Sequence, residues 1–120
     1  MKQLLTCVAL ACACAASFAQ AAMCGGVGVD DQNRMKAEAP RHDLMLTFAV
    51  SSGAYLSDVD VSISNVKGVV LQQRCGGPLM LVDLPAGAYQ VSATPPKGAA
   101  QKKSVTVGGK KPASVTFTWP

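Results

Sequence analysis

The chain has 120 residues, with 11 lysine and arginine side chains against seven aspartate and glutamate side chains, a formal net charge of +4. At this length, the given residues are expected to form a single domain. The excess of positive charge is too small to indicate nucleic-acid binding in a chain that is expected to leave the cytoplasm.

The first 21 residues have the pattern of a cleavable export signal. Lys2 supplies a positive charge, residues 4–16 form an uncharged apolar core, and residues 19–21 (AQA) offer small side chains to a signal peptidase. We expect cleavage after Ala21, with a cut after Ala19 as the near alternative. The apolar run is shorter than the ~20 residues that span a bilayer. The mature chain is therefore expected to be periplasmic or secreted, without a transmembrane anchor.

Two cysteines, Cys24 and Cys75, remain after such a cleavage. Because an exported chain meets an oxidising compartment, these two residues are expected to form one intramolecular disulfide. A redox pair or an intermolecular bond is the alternative, although the C-x-x-C spacing that supports redox chemistry does not occur here. The residues before Cys24 do not match a lipid-attachment motif, so lipidation is a minor alternative.

Residues 22–42 are predicted to form a flexible, glycine-rich lead and one short helix at residues 30–39. Asp30 and Asp31 favour a helix N-terminus through capping and the macrodipole, and Pro40 ends the segment. Met35 is the only large apolar side chain of this segment. The helix is therefore expected to lie on the surface with one small contact.

From residue 43 onward the apolar side chains alternate with polar ones, as is typical of strands with one solvated face. Turn residues separate these runs at roughly ten-residue spacing, which predicts seven short strands. The pattern favours an antiparallel β-sandwich, with a small barrel as the alternative. The last two strands are expected to form a hairpin around Gly108 and Gly109. The predicted strands occupy residues 43–50, 58–64, 69–73, 79–82, 88–93, 103–107 and 113–119.

Residues 84–93 (LPAGAYQVSA) resemble the signature of carboxypeptidase regulatory-like domains, and residues 53–68 resemble the hairpin that precedes it in those modules. The resemblance implies a transthyretin-like (prealbumin-like) sandwich over residues 43–120, as in small exported bacterial members of the family. It implies little about activity, because a fold does not fix a function. We expect Gly87 at a positive φ or at a position where a side chain would collide, and Tyr89 in the core. The residues of the structural signature are Leu84, Pro85, Gly87, Tyr89 and Val91.

The single histidine, His42, is expected to lie on the surface and not in a catalytic or zinc site. Its neighbours Arg41 and Asp43 point to the opposite face of an extended segment, so neither can assist it. Hydroxyisourate hydrolases, an enzymatic branch with the transthyretin-like fold, use several histidines and a Tyr-Arg-Gly-Ser terminus. The ending of this chain, residues 116–120 (TFTWP), contradicts that activity. No enzyme, cofactor or metal site is predicted.

Paired carboxylates at Asp58 and Asp60 are predicted to share one face of a strand. Such a pair can bind calcium, but a calcium site needs about six oxygen ligands. Solvated, outward-facing charges are therefore the better interpretation.

Two features are weak candidates for ligand contact. Lysines at the two ends of the last predicted hairpin suggest a basic rim for an anionic surface such as lipopolysaccharide, and solubility or protection of an edge strand is the alternative. Tyr55 is the one aromatic side chain not assigned to the core, whereas Phe117 and Trp119 are predicted to be buried. The lysines are Lys102, Lys103, Lys110 and Lys111, with Lys97 nearby.

Taken together, these features predict a non-catalytic, exported interaction or accessory module whose partner is a protein or another envelope component. A carbohydrate- or glycan-binding domain is the first alternative, and it would need exposed, coplanar aromatic rings. An envelope-assembly or pilus-type structural subunit is the second, and it would need an open apolar groove or a donor strand.

Overall fold

The computed structural model describes residues 22–120, so the predicted signal peptide lies outside the described residues. This part of the chain folds into eight strands, one α-helix and one 3-10 turn. The elements are β1 (Ala22–Gly25), α1 (Val29–Glu38), the 3-10 turn (Ala39–Arg41), β2 (Leu44–Val50), β3 (Val59–Asn65), β4 (Gly68–Cys75), β5 (Leu79–Val82), β6 (Gly87–Thr94), β7 (Gln101–Val107) and β8 (Ala113–Trp119).

The strands form two four-stranded sheets, with the orders β1-β5-β2-β8 in the first sheet and β4-β3-β6-β7 in the second. This confirms the all-β sandwich. The predicted count of seven strands is wrong, because residues 22–25, expected to be a flexible lead, form β1 and pair antiparallel with β5. Residues 22–25 (AMCG) show no alternation of apolar and polar side chains, and the glycines at 25, 26 and 28 suggest a flexible segment.

The prediction of purely antiparallel pairing is also wrong, since β2 and β8 run parallel, from Leu44 opposite Ala113 to Val50 opposite Trp119. The last two strands do not form a hairpin. Instead, β7 pairs with β6 in the second sheet and β8 pairs with β2 in the first. Periodicity could not reveal this, because one buried face produces the same alternation in parallel and antiparallel edge strands.

The main core lies between the two sheets and is built from the inward side chains of both. Phe48, Phe117 and Trp119 stack along the parallel pair, with centroids of successive rings 6.0 Å apart. A second apolar cluster lies on the outside of the first sheet, where Met35 of α1 packs on β5. All four residues of β5 are buried for this reason, because the core covers one face of the strand and α1 covers the other.

The two open sides of the sandwich are closed by different means. On one side, the disulfide between Cys24 of β1 and Cys75 of β4 joins the sheets with a Cα–Cα distance of 5.4 Å, which confirms the predicted pairing. On the other side, Gln101 of β7 donates from Nε2 to the carbonyl oxygen of Thr118 on β8 at 2.8 Å. The result is a closed scaffold, with a covalent link at one side and side-chain hydrogen bonds at the other.

Candidate functional site

The outer face of the second sheet carries polar side chains in cross-strand register. Asp60 of β3 lies between Arg74 and Thr94, and Ser62 lies between Gln72 and Ser92. A shallow groove of about 470 Å³ runs across these rows. We call this surface the polar face, defined by Asp60, Ser62, Gln72, Arg74, Ser92 and Thr94.

An ion pair holds one end of the polar face. The Arg74 guanidinium donates to both carboxylate oxygens of Asp60, at 2.9 and 3.3 Å. This hydrogen bonding lowers the pKa of Asp60 below its ordinary value and raises the pKa of Arg74. Both side chains remain exposed, so they stay accessible to a partner.

The prediction that Asp58 shares a strand face with Asp60 is wrong. Asp58 lies before β3 at φ 62°, a left-handed conformation that interrupts the alternation. Asp60 is an outward-facing, solvated charge, as the sequence suggests. Within residues 22–120, no group of three or more His, Cys, Asp or Glu side chains is arranged to hold a metal ion.

A second depression, of about 160 Å³, lies between residues 40–43 and residues 108–112. We call it the basic cleft, since Arg41, Lys110 and Lys111 line it together with His42. The β2–β8 pairing brings its two walls together, and the Ala113 N–H donates to the Asp43 carbonyl oxygen at 2.9 Å. No serine, threonine or cysteine is among the described residues that line this cleft.

His42 is more covered than expected, with 18% of its side chain exposed. Its Nδ1 lies 3.1 Å from Asp83 Oδ2, and its Nε2 lies 3.7 Å from Glu38 Oε1. Sequence reasoning considered only the flanking residues and missed Asp83, which is 41 positions away. The contact with Asp83 orients the ring at the rim of the basic cleft.

The predicted basic lysines lie in three places instead of one rim. Lys110 and Lys111 line the basic cleft. Lys102 lies on the outer face of the second sheet, opposite Ser92, whereas Lys103 points the other way, with Nζ 5.4 Å from the centre of the Phe117 ring. The alternation along β7 was the signal that could have separated these last two residues.

Tyr55 is partly exposed, with 42% of its surface accessible, and it forms an isolated bridge with Ala49. Phe117 and Trp119 are buried, and the Trp119 indole donates from Nε1 to the Ala99 carbonyl oxygen at 2.8 Å. These placements confirm the three predictions. Tyr55 is the one aromatic side chain of residues 22–120 with substantial exposure.

The turn into β6 has the local geometry that the sequence predicts. Gly87 has φ 154°, and Tyr89 is buried with 6% of its surface exposed. The Tyr89 hydroxyl donates to the Pro85 carbonyl oxygen at 2.7 Å, which ties the strand to its own turn. Leu84 and Val91 are also buried in the core.

Comparison with known proteins does not add to these observations. No family model matches the chain, and a search of curated proteins finds no relative. The resemblance to carboxypeptidase regulatory-like domains therefore stays a prediction. No helix within residues 22–120 is both long enough and apolar enough to cross a bilayer.

Proposed function

We propose that the chain is an exported, non-catalytic interaction module that holds a protein partner of the cell envelope or medium on its polar face. The observation that carries this proposal is the difference between the two sheets. In the first sheet, α1 covers the outer surface at β5 through Met35, whereas the polar face of the second sheet presents accessible Asp60 and Arg74 side chains around a groove.

The chemistry of the polar face favours a reversible contact with a hydrogen-bonding protein surface. Hydroxyl, amide and charged groups from β3, β4 and β6 line the groove. Non-obligate protein interfaces are about as polar as the rest of a protein surface, and they contain many bridging water molecules. Arginine is enriched among the residues that dominate binding energy, so Arg74 is the side chain that we expect to matter most.

Export is supported by the signal-like first 21 residues and by the Cys24–Cys75 disulfide. Mass spectrometry of the protein recovered from periplasm or medium tests this part of the proposal. We expect Ala22 as the N-terminal residue. An intact Met1, or a lipid on Cys12 or Cys24, would contradict it.

The two alternatives have less support. A glycan-binding domain would stack its ligand on exposed rings, and Tyr55 alone is a small platform. A pilus-type subunit would accept a donor strand at an open edge. The groove on the polar face is lined mainly by polar side chains, whereas a donor strand fills an apolar groove.

Capture experiments with the mature domain, residues 22–120, test the proposed surface. The wild-type domain is compared with Ser62→Arg/Ser92→Arg, which fills the groove, and with Ser114→Arg/Thr116→Arg on the exposed face of β8. We expect the wild type and the β8 variant to retain the same envelope protein and the groove variant to lose it. Equal capture by all three folded domains would contradict the proposal.

A further inference from the structure

We propose that the basic cleft binds a phosphate group. The cleft is lined by different residues from the polar face, so this proposal does not depend on the function proposed for that face. Four observations support it: the charges that line the cleft, its unengaged backbone donors, the rigidity of its walls and its size.

Positive charge dominates the lining of the cleft. Arg41, Lys110 and Lys111 line it against a single carboxylate, Asp43, whose Oδ2 already accepts the Leu84 N–H at 3.0 Å. Within residues 22–120, neither lysine takes part in an ion pair. The two lysines are therefore available to an anion.

The carboxylates near the cleft do not cancel its positive charge. Glu38 accepts from Arg41 at 3.0 Å, so the charge of that arginine is partly neutralised. Asp83 lies beside His42 and accepts the Asp43 N–H at 3.3 Å. Neither Glu38 nor Asp83 is among the residues that line the cleft. The positive potential in the cleft therefore comes mainly from Lys110 and Lys111.

Three successive backbone N–H groups lie in the loop that forms one wall of the cleft. The N–H groups of Gly109, Lys110 and Lys111 donate to no backbone acceptor within the described residues. Runs of consecutive backbone N–H groups in turns form concavities that bind anions.

Both walls of the cleft are held in place before any ligand binds. A Cβ atom at Gly108 would collide with Ala86, and φ of Gly108 is +105°, so this position packs closely and requires glycine. On the other wall, the Asp83 carboxylate lies within hydrogen-bond distance of His42 Nδ1, at 3.1 Å, and orients the ring. Binding to a preformed site avoids most of the entropy cost of ordering loops and side chains.

The volume of the cleft limits the size of the ligand that it can bind. Sites for drug-sized molecules have volumes of ~300–1,000 Å³, whereas this cleft has about 160 Å³. It therefore suits one compact anionic group. A phosphate monoester carries about −1.5 to −2 charges and three acceptor oxygens at neutral pH, which matches two lysines and a row of N–H groups. The same group occurs in soluble phosphate and in phosphorylated lipid head groups.

The test uses the mature domain and two double variants that remove equal charge. Lys110→Ala/Lys111→Ala alters the cleft, and Lys67→Ala/Lys97→Ala removes two exposed lysines elsewhere. Inorganic phosphate is titrated at constant pH and ionic strength while the amide signals of residues 109–111 are followed by NMR. We expect saturable shifts in the wild type and control, and affinity at least about tenfold weaker in the cleft variant.

Cosedimentation with phosphatidylcholine vesicles, with and without phosphatidic acid, distinguishes the two sources of phosphate. Binding that needs both phosphatidic acid and the two cleft lysines indicates a lipid head group. Shifts with inorganic phosphate without vesicle binding indicate a soluble ligand. The proposal is overturned if neither probe binds, or if the folded cleft variant binds as tightly as the control.

Discussion

Lys103 of β7 donates a hydrogen bond from Nζ to the carbonyl oxygen of Thr116 on β8, at 2.6 Å. These two strands are the edges of different sheets, so one side chain links the sheets across the open side of the sandwich. The Nζ group also lies 5.4 Å from the centre of the Phe117 ring, which is within cation–π range. Lys103 therefore acts as a structural residue of the scaffold.

We predict that Lys103→Met lowers the free energy of unfolding by about 1 kcal/mol. Methionine keeps an apolar stem of similar length but loses the charge and the hydrogen bond to Thr116. Urea denaturation measures the change. Lys102→Met is the matched control, because Lys102 lies on the opposite face of the same strand and should leave stability nearly unchanged. Equal effects of the two substitutions would contradict the structural role of Lys103.

Removing the disulfide should destabilise the domain strongly. The bond closes a loop between positions 51 residues apart, for which the chain-entropy model gives roughly 4 kcal/mol. We therefore expect Cys75→Ser to lower the midpoint of thermal unfolding by at least several degrees. Two freely titrating thiols in protein taken directly from the periplasm would contradict the structural role of the bond.

The two tyrosines should respond very differently to truncation. Tyr89 is 6% exposed and Tyr55 is 42% exposed. Tyr89→Ala removes a large buried ring and should cost roughly 3–5 kcal/mol, whereas Tyr55→Ala should cost far less. Because small domains have ~5–15 kcal/mol of total stability, Tyr89→Ala should leave a measurable unfolded fraction at growth temperature. The thermal unfolding of both variants is measured by circular dichroism. A larger loss of stability in Tyr55→Ala than in Tyr89→Ala would contradict the placement of Tyr89 in the core and Tyr55 on the surface.

The Arg74–Asp60 pair predicts a specific dependence on pH. Hydrogen bonding to Arg74 holds the pKa of Asp60 below its ordinary value. An aspartate with a depressed pKa stabilises the fold above its unfolded pKa, and this contribution is lost as pH falls through the folded pKa. Arg74→Gln should raise the pKa of Asp60, as measured by NMR of its carboxyl carbon.

Asp31 is the internal control for that titration. Its pKa is lowered mainly by the hydrogen bond from the Gly26 N–H and then by Arg34, neither of which involves Arg74. In Arg74→Gln the pKa of Asp31 should therefore stay low. An unchanged Asp60 pKa, or equal shifts at both residues, would contradict a direct effect of the ion pair.

Sequence reasoning succeeded where a local pattern determines the structure. Val59, Val61 and Ile63 alternate with polar residues because one face of β3 is buried. The disulfide followed from the count of cysteines that remain after the export signal. The prediction from sequence was wrong at β8. The glycines at 108 and 109 mark a turn, but they do not indicate whether the next strand pairs with β7 or crosses to the other sheet. Both sites depend on residues that the fold brings together from distant positions, such as Ser62 with Ser92 and Arg41 with Lys110.

The most direct test of the proposed function is photo-crosslinking in living cells with a benzoylphenylalanine placed at Ser92 or at Thr116. Ser92 lies in the groove of the polar face, and Thr116 is exposed on β8 of the other sheet. We predict a discrete crosslinked partner from position 92 and none from position 116. A partner captured only from position 116, or no adduct from an exported and folded protein labelled at position 92, would contradict the proposal that the polar face is the binding surface.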